Sequence, residues 1–197
     1  YKKTINRVDN VSDEEVSNMM QKCADIFYRD LRVRSRKDKR HQNKKNRHEF
    51  KEEFIMEYTT LNNGVKMPMA GIGTFLLTPD EAENSVLSAL KNGYRLVDTA
   101  NAYVNEKAVG RAMKKSGVAR KDIFLETKIW PSFYEQEDAV EKTLQRLDTD
   151  YIDLLLIHQP AGNYVAGYRL MEKAYKEGKV KAIGLSNFTK EQVQEIL

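Results

Sequence analysis

From about residue 69 onward, two kinds of apolar pattern alternate along the chain. Short, nearly continuous apolar runs occupy 69–73, 94–98, 123–128, 151–158 and 180–186. Between them lie stretches with apolar residues three or four apart, over 78–93, 104–117, 135–147, 165–176 and 189–197. The first kind reads as strands buried on both faces, the second as amphipathic helices. Thr78 followed by Pro79 and Glu81 predicts a helix start, and Gly93 a stop. Five successive strand–helix units, at a period of roughly 30 residues, predict a parallel sheet with helical crossovers. Ahead of them, Asn62-Asn63-Gly64 within 57–68 predicts a small hairpin.

Residues 1–55 follow a different pattern, and a boundary is expected near Met56, dividing a basic helical extension or linker (1–55) from the strand–helix repeats (56–197). Ser12 and Glu15 fit a capping box. Val16, Met19, Met20, Cys23, Ile26, Phe27 and Leu31 recur at helical spacing, which predicts one amphipathic helix. Nine of the sixteen residues 32–47 are Lys or Arg. Such a run can contact RNA or DNA, but it lacks the interleaved aromatics that stack on bases. The plainer reading is a solvated helix or tether.

Charge divides at the same place. Residues 1–55 hold fifteen Lys and Arg against ten Asp and Glu, whereas 56–197 hold eighteen against nineteen. The pI of about 9.0 therefore says nothing of the second part. No apolar run approaches the ~20 residues a spanning helix needs. The single cysteine suits a reducing compartment and predicts a cytoplasmic protein.

Reactive side chains of parallel barrels collect at the C-terminal ends of the strands. Those positions here hold Asp98, Lys128, His158 and Ser186-Asn187, with Tyr103 just beyond Asp98. Each has a plain explanation alone: Asp98 as a helix cap, His158 as a core histidine, Tyr103 as packing. Four ionisable groups at equivalent ends of neighbouring strands are harder to explain as packing. A lysine in such a mouth needs an acidic partner, and Asp98 on the adjacent strand can supply it. A phenol's ordinary pKa of ~10 is high for a general acid at neutral pH, and a nearby ammonium lowers it. Tyr103 is thus the expected proton donor, Lys128 its activator, Asp98 the partner of Lys128, and His158 the group that orients a substrate oxygen. That arrangement suits carbonyl reduction, with hydride from a cofactor.

The motifs carrying these residues resemble the aldo-keto reductases, of the bacterial 2,5-diketogluconate reductase type. GYRLVDTANAYVNEKAVG at 93–110 and LQRLDTDYIDLLLIHQP at 144–160 are similar to the family's two signatures, with ETKIW at 126–130 and GLSNF at 184–188 also matching. The resemblance implies a (β/α)8 barrel, here incomplete at about five βα units, with the 57–68 hairpin plugging its bottom. It implies NADPH across the mouth, and Asp98, Tyr103, Lys128 and His158 as the catalytic residues. Gly73, Thr74, Phe75, Asp98, Ser186 and Asn187 would bind the cofactor, and Trp130 and His158 a small carbonyl substrate; no metal ligands are assigned. The family's last three strands, its 2′-phosphate-gripping loop and its C-terminal loop lie outside this sequence. Open parallel edges predict that this chain alone is inactive or weakly stable. The alternative function is a non-catalytic cofactor sensor, or a protein that binds nucleic acid or a partner through its basic segment.

Overall fold

The computed structural model describes residues 56–196. The helix expected from Ser12 to Leu31 and the basic run 32–47 lie outside them. Two short strands, β1 (Tyr58–Thr60) and β2 (Lys66–Pro68), form the antiparallel hairpin that Asn-Gly announced. Gly64 takes a positive φ of 87° in its loop, a region glycine enters without steric cost.

The main sheet has five parallel strands: β3 (Gly71–Gly73), β4 (Leu96–Asp98), β5 (Phe124–Ile129), β6 (Leu154–Ile157) and β7 (Ile183–Leu185). Their spatial order is their sequence order, each paired with the next. A doubly wound sheet would reverse that order at a switch point. This sheet does not, so it winds one way, as a barrel does.

Helices α1 (Pro79–Lys91), α2 (Glu106–Ser116), α3 (Ala139–Leu147), α4 (Tyr164–Lys176) and α5 (Lys190–Gln194) follow the strands in turn. Thr78 and Glu81 form the reciprocal capping box that opens α1. Alternation along the strands separates two faces. Val97 and Leu125 face outward and pack with Val86, Leu90, Val109, Met113 and Leu147 of the helices. Ile129, Leu155 and Ile157 do the same with Val140, Met171 and Ala174. On the inner face Phe124, Leu154 and Ala182 meet Leu61, Val65 and Met67 from the hairpin segment. The hairpin therefore covers the N-terminal end of the inner face, and Asn63 Nδ2 donates to Lys181 O at 2.9 Å. No helix among the described residues is long and apolar enough to cross a membrane.

Two helices beside the mouth start later than the sequence pattern predicts. The helix expected from Val104 begins at Glu106, because residues 101–103 form a 3-10 turn and Val104 adopts a left-handed φ of 58°. The helix expected from Glu135 begins at Ala139, after a 3-10 turn at Pro131–Phe133.

The α2–α3 contact is close. A Cβ on Gly110 would stand 2.4 Å from Leu147 O and 2.8 Å from its carbonyl carbon. Backbone atoms cannot rotate aside as a side chain would. Gly110→Ala is expected to cost ~1–3 kcal/mol, as overpacking does, read as a lowered denaturation midpoint at unchanged slope.

Candidate active site

The inner face turns polar above its apolar floor. Asp98 and Glu126 are register partners on β4 and β5. Lys128 follows two residues on and so shares their face. His158 continues β6, its N–H donating to Ile129 O at 3.0 Å. Ser186 continues β7, its N–H donating to Ile157 O at 2.9 Å. Regular parallel pairing thus places four strand ends around one opening.

Lys128 is 8% exposed, and a buried ammonium is costly unless paired. Its Nζ forms an ion pair with Asp98 Oδ1 and donates to Thr99 O at 3.0 Å. It also lies 5.3 Å from the centroid of the Tyr103 ring, on the same side of the sheet. Tyr103 packs between Phe75 (centroids 5.1 Å apart) and His158 (5.7 Å, edge-on). Trp130 meets the other side of this group, 5.0 Å from His158 and edge-on to it. Phe75 and Trp130 keep 47% and 39% of their surface exposed, so the opening has aromatic walls.

One electrostatic expectation is corrected. Lys128 was expected to hold the Tyr103 phenol below its usual range, yet the phenol is raised. Burial is the largest cause, and the charge of Asp98 adds to it; the charge of Lys128 and its hydrogen bonding offset only part. Burial between Phe75 and His158 was not visible in the sequence. At neutral pH the phenol therefore keeps the proton it would have to give. His158 moves the opposite way, down to about 4, through burial first and the Lys128 charge second. Its ring is neutral at pH 7. Its Nδ1 is buried with no hydrogen-bond partner among the described residues, which leaves Nε2 to reach a ligand.

Of the residues expected at a cofactor, Asn187 sits at a left-handed φ of 68°. Its amide nitrogen donates to His158 O at 3.0 Å and to Ser186 Oγ at 3.1 Å. The amide oxygen and the Ser186 hydroxyl hydrogen then offer one acceptor and one donor, which fits a carboxamide. At Gly73, an added Cβ would have as its nearest neighbour Asp98 Oδ2, at 3.7 Å. Thr74 differs from the expectation: it is fully buried. Its hydroxyl lies within hydrogen-bond distance of Asp98 O and Asn105 Oδ1, and its N–H donates to Asp98 O. Thr74 holds the end of β4 and offers no side-chain surface to a ligand.

Three residues were not singled out in the sequence. Asn105 is 1% exposed. It donates to Thr74 O and Leu77 O and accepts from the Thr99 hydroxyl, at 2.9–3.0 Å. It joins the segment after β3 to the Tyr103 turn. Asn101 Oδ1 accepts from the Trp130 N–H at 3.0 Å and fixes the start of the Trp130 loop. Glu106 is buried against Thr127 and Arg146. A polar residue entering a helix directly after a non-helical pair was the available signal for Asn105.

A singly wound parallel sheet with ionisable groups at its strand ends is the architecture of part of a (β/α) barrel. The Aldo/keto reductase family profile matches residues 69–197, and the chain belongs to that family. It is 47% identical over 148 residues to glyoxal reductase of Bacillus subtilis, covering 73% of this chain and 54% of that protein. A crystal structure of an aldo/keto reductase from Brucella melitensis superposes with a TM-score of 0.70 at 42% identity, over 72% of this chain and 58% of that one. A putative 2,5-diketo-D-gluconic acid reductase B gives 0.67 at 39% identity, over 72% and 52%. The chain thus spans about half the length of the curated relatives it matches. Its five strands correspond to part of the family's (β/α)8 barrel.

Proposed function

We propose that this mouth reduces small aldehydes or ketones to alcohols with NADPH. The observation that carries the reading is the Lys128 ammonium, ion-paired to Asp98 and set against the Tyr103 ring beside His158. NADPH would supply the hydride; Ser186, Asn187, Gly73 and Phe75 would hold its nicotinamide end. His158, neutral, orients the carbonyl oxygen from Nε2. Tyr103 gives its proton to that oxygen as negative charge develops there. The Lys128 ammonium stabilises the phenolate left behind, and solvent restores the proton. Trp130 and Phe75 exclude water from the substrate's apolar part. The similarity to glyoxal reductase and to a putative 2,5-diketo-D-gluconic acid reductase B supports a small polar carbonyl compound. The lone cysteine fits work in a reducing compartment, the cytoplasm.

The test is a titration of NADPH and NADH by nucleotide fluorescence onto a barrel in which this chain is completed by the three remaining βα units of a relative, followed by a panel of small carbonyl compounds. Saturable binding, tighter for NADPH, and carbonyl-dependent oxidation of it are expected. Absence of both binding and turnover would sink the reading.

A further inference from the structure

We propose that Glu126 is a positioning residue of this site, its carboxyl setting the field in which the Tyr103 phenol gains and loses its proton. The inference deepens the reductase reading and rests on it.

The geometry comes from the strands. Glu126 and Asp98 are direct partners in the parallel β4–β5 ladder. Partners in a parallel ladder point to the same face, so two carboxyls lie side by side inside the sheet. Lys128 is two residues further along β5 and stands on that face too. Its ammonium is committed to Asp98 Oδ1 and Thr99 O. No hydrogen bond or ion pair joins the Glu126 carboxyl to another described residue. On the opposite side of Glu126, β6 presents Leu154, its register partner, which is apolar. Above it stand Tyr103 and the neutral His158. The charged or titratable groups facing Glu126 are therefore Asp98 from β4, Lys128 from its own strand, Tyr103 from the 3-10 turn and His158 beyond β6.

One cation thus serves two carboxyls, and Asp98 holds it. The remaining carboxyl is the one that carries a proton. Burial and the adjacent Asp98 charge push Glu126 up to about 7, against the pull of Lys128. Once ionised, Glu126 raises the phenol of Tyr103, opposing Lys128. The sign follows. Below neutrality Glu126 is protonated, and Lys128 acts on the phenol with less opposition. Above neutrality the Glu126 charge makes Tyr103 hold its proton more firmly. That keeps the proton on Tyr103 but makes it a weaker donor in reduction, and it disfavours the phenolate needed for alcohol oxidation.

The experiment reads the two groups directly and needs no turnover. Carbon-13 NMR follows the glutamate carboxyl carbons and the tyrosine ring carbons bonded to the hydroxyl across pH. Glu126→Gln and Tyr103→Phe assign the two signals by their loss. Expected are a Glu126 midpoint near neutral pH and a Tyr103 midpoint that falls in Glu126→Gln. In Asp98→Asn, the Glu126 midpoint should fall as well, which tests the coupling without altering Glu126. A Glu126 midpoint in the ordinary carboxylate range, or a Tyr103 midpoint unmoved by Glu126→Gln, overturns the proposal. Both results are independent of nucleotide binding and of turnover, so failure here is separable from failure of the reductase reading.

Discussion

Replacing Tyr103 with phenylalanine in the completed barrel is expected to lower carbonyl reduction by about 10²–10⁴-fold, the usual contribution of a positioned general acid, while leaving NADPH affinity unchanged. Phenylalanine is the informative choice because it removes one oxygen and little else. The ring would still pack on Phe75 and His158, at the 5.1 and 5.7 Å separations of the wild-type pair. The Lys128 ammonium would still face it and still pair with Asp98. Changing Lys128 or Asp98 would instead break a buried ion pair and mix chemistry with folding. Steady-state rates, read as NADPH absorbance with the carbonyl varied, should show the loss in kcat. Cofactor fluorescence titration should give the wild-type dissociation constant. Turnover by the phenylalanine variant at the wild-type rate would remove Tyr103 from the role of donor.

Strand periodicity explains which parts of this site were legible in the sequence. Asp98, Lys128 and His158 each follow an apolar run, and parallel pairing brings the ends of such runs to one rim whatever else the chain does. The Asp98–Lys128 pair follows from the same logic, since adjacent strands bear them and a buried ammonium needs an anion. The conformation around Tyr103 was less accessible. Its 3-10 turn and the left-handed Val104 depend on Asn105, which is tied to Thr74 and Leu77 across 31 and 28 residues. Local spacing carries no trace of such bonds. The direction of the Tyr103 shift was missed for a related reason: a neighbouring charge can be guessed from motif positions, but burial between two rings belongs to the tertiary structure. Glu126 was visible and passed over. It lies two residues from Lys128 in an extended segment, so the period of two alone puts both on one face.

Removing the guanidinium from Arg146, as in Arg146→Leu, is expected to destabilise the chain by ~3–5 kcal/mol at neutral pH, the usual cost of orphaning a buried charge. Glu106 opens α2, three residues after Tyr103, and is 2% exposed. Its Oε1 accepts from the Thr127 hydroxyl at 2.9 Å and its Oε2 from Arg146 Nε at 2.6 Å. Thr127 immediately precedes Lys128, so this one carboxylate ties the helix after Tyr103 to the strand that carries Lys128 and to α3. Burial already raises Glu106 above the usual carboxylate range, and Arg146 offsets part of that rise. Without Arg146 the rise would be larger. A carboxyl raised on folding binds its proton more tightly in the folded state, so its cost is present at high pH and relieved as pH falls through the folded value. The deficit of Arg146→Leu should therefore shrink as the pH is lowered from 8 towards 5. Urea unfolding of both proteins across that range measures it. A deficit independent of pH would assign the loss to the packing of the arginine stem instead of the charge left on Glu106. Glu106→Gln in the same background separates the two causes again, since it removes the charge at constant shape and should recover most of the loss at pH 8.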